Sequence, residues 1–440
     1  MTARRAPLGR LRLRGTLVAV ILGLGALGSA LDVGCTIYDG SLLLDANAPV
    51  PPGGGIGFWS SNDGHGGKCF TAGAPTAGER PPPSSAPALL PIYLAIHDVQ
   101  LGALDKDGKP NANAWKDFGF DLDNTCTGSP TCDTTGEPVS LSCKPPTVSV
   151  PYDGNYCRDN TFGRLEYTVS LVPEISKRYG LNDAAFNCAL CVGDRNILIR
   201  LTDYNGTDND DHVRVDLYPS PGLEKVLPWN CADESWRNEP CFAPDMKWTV
   251  WDRYLKSPHD GPDLSESTTA DDAAYVRDGY LIAELPPDTR LWFPGKNALT
   301  TAYPLYLHSS VVTAKLGHAA DQTWIATDGI IGGRVKSDDL LLGFRQIGLC
   351  ENDSSYSLLP QFITQNLDIS GAGNNDPTAP CDAMSIGVAF TATQAVAGKV
   401  TTAAELVECP YGRTPEGGVT EGGAPEGGAG DAGTKDAGGG

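Results

Sequence analysis

The chain of 440 residues is short of positive charge: 33 Lys and Arg stand against 54 Asp and Glu, giving a formal net charge of −21 and a pI near 4.6. A nucleic-acid binder gathers Lys and Arg on one face to neutralise phosphates, so that class is set aside at once. Histidine is scarce as well. The six residues His65, His97, His212, His259, His308 and His318 show no metalloprotease spacing, and no glycine-rich loop carries a phosphate-binding lysine. Beyond residue 31 no second long apolar run occurs, so no further membrane span is expected. A content of 40% apolar residues is still enough for a core, and the length allows one large domain or two ordinary ones.

What is present begins at the amino end. Arg4, Arg5, Arg10, Arg12 and Arg14 precede an apolar run from Leu17 to Leu31. This is the charged region and short hydrophobic region of an export signal, too short to span a bilayer. The run ends in Leu31-Asp32-Val33-Gly34-Cys35, which resembles the lipobox of bacterial lipoproteins: a small residue, Gly34, stands before the cysteine, although Asp32 occupies a place where Leu is usual. The resemblance implies cleavage before Cys35, acylation of its thiol and freed amine, a lipid-bilayer partner reached through that acyl anchor, and an outer-membrane or cell-surface address. A plain secretory signal cut near Ala30 is the competing reading. On the lipoprotein reading the signal peptide is residues 1–34. Its loss removes five arginines and one aspartate, taking the mature charge from −21 to −25.

Cysteine parity agrees with export. With Cys35 assigned to lipid, twelve of the thirteen cysteines remain: Cys69, Cys126, Cys132, Cys143, Cys157, Cys188, Cys191, Cys231, Cys241, Cys350, Cys381 and Cys409. Six disulfides are then possible, as expected in an oxidising compartment. Cys126, Cys132, Cys143 and Cys157 lack the Cys-x2-Cys knuckle of a structural zinc site, so stapling of a loop without its own core is the expectation. Cys188-Ala189-Leu190-Cys191 has redox spacing but is followed closely by a strand rather than opening a helix.

Residues 35–90 are rich in Pro, Gly, Ser and Ala and read as a disordered tether, while residues 412–440 read as a disordered glycine-rich tail with acids every five residues (Glu416, Glu421, Glu426, Asp431, Asp436). Between them, residues 91–411 form the folded, disulfide-stapled body. Strands are expected at 92–99, 197–202, 212–218, 248–254 and 304–315. Asp278-Gly279 and Asp328-Gly329 each sit between two apolar runs and are expected to be two-residue hairpin turns. Helices are expected near 164–179, at 337–347 with Ser337 as cap, and at 358–367. Strands follow one another without alternating helices. The fold class is therefore mainly β, an antiparallel β-sandwich or jelly-roll-like body with a small helical insertion between Cys350 and Cys381.

Three aspartate groups suit hard, oxygen-bound cations: 105–108, 121–124 and 203–211. None has the EF-hand pattern. The third is the densest, and Asp203, Asn205, Asp208 and Asp210 are the candidate calcium ligands, with a plain Asp/Asn/Gly connecting loop as the simpler account. No other cofactor is implied. Ala383-Met384-Ser385-Ile386-Gly387 resembles an α/β-hydrolase nucleophile elbow, but no histidine follows it, so the match is rejected. Of four clustered tryptophans, Trp248 and Trp251 are expected in the core, and Trp229 and Trp236 are the exposed pair able to stack on sugar rings. These readings converge on an envelope-anchored or secreted binding protein, its partner a glycan or another surface protein, leaning away from enzyme. An extracytoplasmic glycoside hydrolase with a hidden carboxylate pair is the rival, and a purely structural envelope component is the third reading.

Overall fold

The computed structural model describes residues 59–60, 71–105, 109–125, 127, 141–146, 152–171, 183–225, 227–228, 231, 241–257, 263–293, 303–351, 353, 356–403 and 408–409. Two short strands, β1 (Trp59–Ser60) and β2 (Thr71–Ala72), pair with each other. Eleven more follow: β3 (Ile92–Gln100), β4 (Asn196–Thr202), β5 (Asp210–Ser220), β6 (Lys247–Trp251), β7 (Ala270–Arg277), β8 (Tyr280–Glu284), β9 (Thr289–Phe293), β10 (Tyr303–His318), β11 (Trp324–Lys336), β12 (Ala383–Gln394) and β13 (Val396–Thr401). The helices are α1 (Thr161–Ser170), α2 (Asp183–Cys191), α3 (Ser337–Gln346) and α4 (Leu359–Thr364).

The mainly β expectation holds, but the architecture is not a sandwich. Strands run in the order β11-β12-β3-β4-β5-β7-β8-β10, all antiparallel, and β10 pairs again with β11, closing an eight-stranded barrel. Closure removes the unpaired edges that two stacked sheets would have to cover by other means. Strand β9 lies outside the ring against the first half of β10.

Alternation along β3 shows how residues are shared between faces. Ile92, Leu94 and Ile96 join the main core with Ile197, Ile199, Val213, Val215, Val276, Leu281, Val312, Ile331 and Val388. Tyr93 and Ala95 point the other way, with Leu198 and Tyr218, under a parallel ribbon of β6 and β13 that carries Trp248 and Val250. Both faces of β3 are thus covered, which is why its sequence reads as a nearly unbroken apolar run. Trp248 and Trp251 are buried, as expected of them.

The hairpin at Asp278-Gly279 forms as its sequence predicts: both residues take positive φ, 51° and 81°, and Arg277 faces Tyr280. The second hairpin does not form. Trp324 to Lys336 is one continuous strand, and Asp328, at φ 49°, marks a break in register against β10 and β12. β11 has ladder partners on both sides, so the left-handed residue is absorbed as a bulge instead of reversing the chain.

The helices differ in detail. α1 ends at Ser170, and residues 172–182 lie outside the described residues. α3 starts as expected, yet Lys336 is the capping position and Ser337 the first helical residue, with no side-chain cap. α4 and the single turn at Tyr356–Leu358 supply the small helical insertion between Cys350 and Cys381. Part of the segment expected to be a disordered tether is ordered on the barrel: Arg80 donates to the carbonyls of Asp211 and Ala273, and the Tyr275 hydroxyl donates to the carbonyl of Thr76. Among the described residues no helix is long and apolar enough to cross a membrane.

Four disulfides join pairs of the described residues: Cys143–Cys381, Cys188–Cys231, Cys191–Cys241 and Cys350–Cys409. Cys157 is disulfide-bonded as well. Cys188 and Cys191 lie one turn apart at the end of α2 and go to different partners, so the redox spacing serves two separate staples. Cys143 does not close its own loop: it reaches 238 residues along the chain to Cys381, just ahead of β12. Cys35, Cys69, Cys126 and Cys132 lie outside the described residues. Disulfides of this number fit an extracytoplasmic location, where thiols are not kept reduced.

Candidate functional site

The calcium candidates Asp203, Asn205, Asp208 and Asp210 fall on the connection between β4 and β5. There the loop's own groups occupy the Asn205 and Asp210 oxygens, while Asn205 Nδ2 is buried without a hydrogen-bond partner among the described residues. Asn205 Oδ1 accepts from the Thr207 amide and hydroxyl, and the Asp210 carboxylate accepts from the amides of Asn205 and His212. Asp203 and Asp208 are exposed, whereas Asn205 and Asp210 are buried. Trp229 and Trp236 lie outside the described residues.

Carboxylates converge instead at the second aspartate group. Asp121, Asp123 and Asp159 each offer an oxygen, and these oxygens all lie within 4.8 Å of one another. The three residues are 1%, 4% and 3% exposed. The loop carrying Asp121 and Asp123 lies flat against the barrel: a Cβ on Gly387 of β12 would sit 2.6 Å from Gly119 Cα, and one on Gly332 of β11 would sit 2.5 Å from the Phe120 ring. Asp159 is brought in by the bridge between Phe120 and Asp159, one residue before Asn160, the cap of α1. Asn160 clamps the junction. Its Oδ1 accepts from the amides of Gly163 and Gly387, and its Nδ2 donates to the carbonyls of Trp115 and Phe118.

Local amides organise the oxygens. Asp159 Oδ2 accepts from the Leu122 amide at 2.7 Å, and Asp121 and Asp123 both accept from the Thr125 amide. Asn375 donates to the Asp123 carbonyl at 2.5 Å. Two further acids border the group. Asp153 accepts from the Thr127 amide, and Asp368 takes the Ser385 amide and hydroxyl together with the Thr161 hydroxyl. Ser385 is fully buried in β12 and serves this network.

Five carboxyls therefore share one neighbourhood, and Arg334 and Arg164 are the guanidiniums that act on it. Burial, reinforced by the charge on Asp121, pushes the Asp123 carboxyl up to about 8. Burial holds Asp153 and Asp159 well above the usual carboxylate range, with the charge on Asp123 adding to it, and raises Asp368 too. Among the described residues this leaves three more acids than guanidiniums to be neutralised, either by protons or by a cation. The donors are all oxygen, carboxylates with hydroxyls nearby, a set that suits Ca²⁺ or Mg²⁺ and not a thiolate-seeking metal. The sequence named Asp121 and Asp123 as one of three groups; Asp159, thirty-six residues downstream of Asp123, carried no local signal.

Fold and site together define a class: a disulfide-stapled, eight-stranded antiparallel barrel with a sealed carboxylate centre beside it. Comparison with protein-family models, curated proteins and solved structures finds no match for this chain.

Proposed function

We propose that this protein is an exported, membrane-tethered surface protein that binds a partner and performs no chemistry on it, with a calcium-type cation tightening its barrel at Asp121, Asp123 and Asp159. The observation that supports export is the set of four disulfides linking distant parts of the chain. The anchor is the acylated Cys35. Binding is favoured over glycoside hydrolysis because a hydrolase presents its acid pair to substrate, and the converging acids here are nearly sealed from solvent. A Cys35→Ser variant, followed by membrane fractionation and intact mass measurement, checks the anchor: the mature wild type is expected in the membrane fraction with an acylated amino end and no free thiol. An unacylated chain, or a C35S protein that stays with the membrane, would remove the anchor from the reading.

The cation contribution has a definite pH signature. With their folded pKa values raised, the buried acids favour the fold while protonated, an effect present in full below about pH 4 and lost as pH rises toward and through about 8 for Asp123. Cation binding must displace those protons, so it gains strength over the same interval. Calcium at a hundredfold excess over its Kd is expected to add about 2.7 kcal/mol, on the order of 5 °C in melting temperature, at pH 8, and much less at pH 5. Asp159→Asn should abolish that difference. Equal melting with and without Ca²⁺ at pH 8 would dismiss the cation.

A further inference from the structure

Arg334 of β11 adjoins the acidic centre without pairing with it. It stands directly opposite Ser385 of β12, whose hydroxyl donates to Asp368. It is 5% exposed. Its Nη2 donates to the carbonyl of Leu122, the residue between Asp121 and Asp123, and its Nε is buried with no hydrogen-bond partner among the described residues. Burial holds this guanidinium below the usual arginine value although Asp159, Asp123, Asp368 and Asp121 all pull it the other way. Contact with a carboxylate is what ordinarily offsets the desolvation of a buried arginine, and among the described residues Arg334 makes no such contact. It therefore takes no oxygen from Asp121, Asp123 or Asp159. What it contributes to the charge gathered between them is its field.

We propose that Arg334 sets which ions the centre accepts: its charge offsets one of the three ligand carboxylates and matches the centre to a divalent cation over a trivalent one. This rests on the cation reading given above. Three carboxylates alone favour the ion of higher charge, because attraction scales with ionic charge. A positive charge fixed beside them repels a trivalent ion more than a divalent one by the same scaling.

Tb³⁺ takes the same hard oxygen ligands as Ca²⁺, so competition between the two on the full chain, followed by calorimetry at pH 7, reads the effect of charge. The affinity ratio is the measure, because both ions displace the same protons and that contribution cancels. Arg334→Gln keeps a donor for the Leu122 carbonyl and removes the charge; it should raise the preference for Tb³⁺ over Ca²⁺ by roughly tenfold. Arg334→Lys keeps the charge and should stay within about twofold of wild type. Arg164→Gln makes the same change of charge on α1, where the acids that act are Asp368 and Asp153, and should move the ratio by about threefold at most. A ratio unmoved by Arg334→Gln, or moved equally by Arg334→Lys or Arg164→Gln, would overturn the proposal and leave the cation in place. A wild type that binds neither ion would remove the cation reading and the proposal with it. Arg334→Met gives the same reading should the glutamine variant not fold, and a wild type that already prefers Tb³⁺ by about a thousandfold overturns the proposal with no variant at all.

Discussion

Replacing Cys143 and Cys381 together by alanine is expected to lower stability by about 5 kcal/mol, the largest single effect in this protein, because this bridge closes a loop of 238 residues. It sits where two remote segments already meet: the Lys144 amide donates to the Ala379 carbonyl at 2.7 Å, and the Cys381 amide donates to the Lys144 carbonyl at 3.0 Å. Without the bridge those backbone contacts must be found again from the open chain. Alanine suits these buried positions because it leaves no new polar group. Urea unfolding is the measure, and the melting temperature should fall on the order of 10 °C. A loss below about 1 kcal/mol would show that loop closure does not hold β12 in place.

Asp216→Asn is expected to cost 3–5 kcal/mol, roughly the penalty for stranding a buried charge. Asp216 is fully buried. Its Oδ2 accepts from Nε and Nη2 of Arg200 at 3.2 and 2.7 Å, and its Oδ1 accepts from Arg214 Nη2 at 3.0 Å and the Ser267 amide at 2.8 Å. Arg200 and Asp216 are direct cross-strand partners on β4 and β5, so the pair also marks the register of that ladder. The asparagine keeps the shape and loses the charge, leaving the buried Arg200 guanidinium without its counter-ion, while Arg214 keeps its ion pair with Glu266 at 3.3 Å. Replacing Arg200 and Asp216 together by Met and Leu should recover much of the loss, since removing both charges also removes the desolvation penalty. A single variant within 0.5 kcal/mol of wild type, roughly the size of an ordinary surface change, would mean that the carboxylate is not the counter-ion the geometry describes.

Much of the barrel was legible before the structure. The strands at 92–99, 197–202, 212–218 and 304–315 appear within a few residues of their expected limits, because alternation or an apolar β-branched run is written directly into them. The expected strand 248–254 stops at Trp251 and turns into a short helical segment at Asp252–Tyr254. Sandwich and barrel were not separable in the sequence. Both use the same strands with the same alternation, and they differ only in whether β10 finds β11 on its second side.

The candidate site was half legible. Asp121 and Asp123 were visible as a dense acidic pair, yet the ligand assignment went to the richer run at 203–211. Density along the chain measures how many oxygens are near in sequence; a centre depends on how many are near in space. The Asn205 and Asp210 oxygens are taken up by their own loop. Asp159 entered the other group through a bridge to Phe120.

What the sequence by itself determined is local: which residues can take positive φ, which segments are apolar on one face or both, and how many cysteines there are to pair. The tertiary structure decided how each of these was used. Asp-Gly became a turn between β7 and β8, which pair with each other directly across it, and a bulge in β11, whose two halves both run along the same neighbours, β10 and β12. Cys143 likewise joined Cys381 and not a nearer cysteine. The physical reason is the same in both cases: backbone preference and thiol chemistry act over a few ångströms, and only the closed ladder of eight strands sets what lies within that reach.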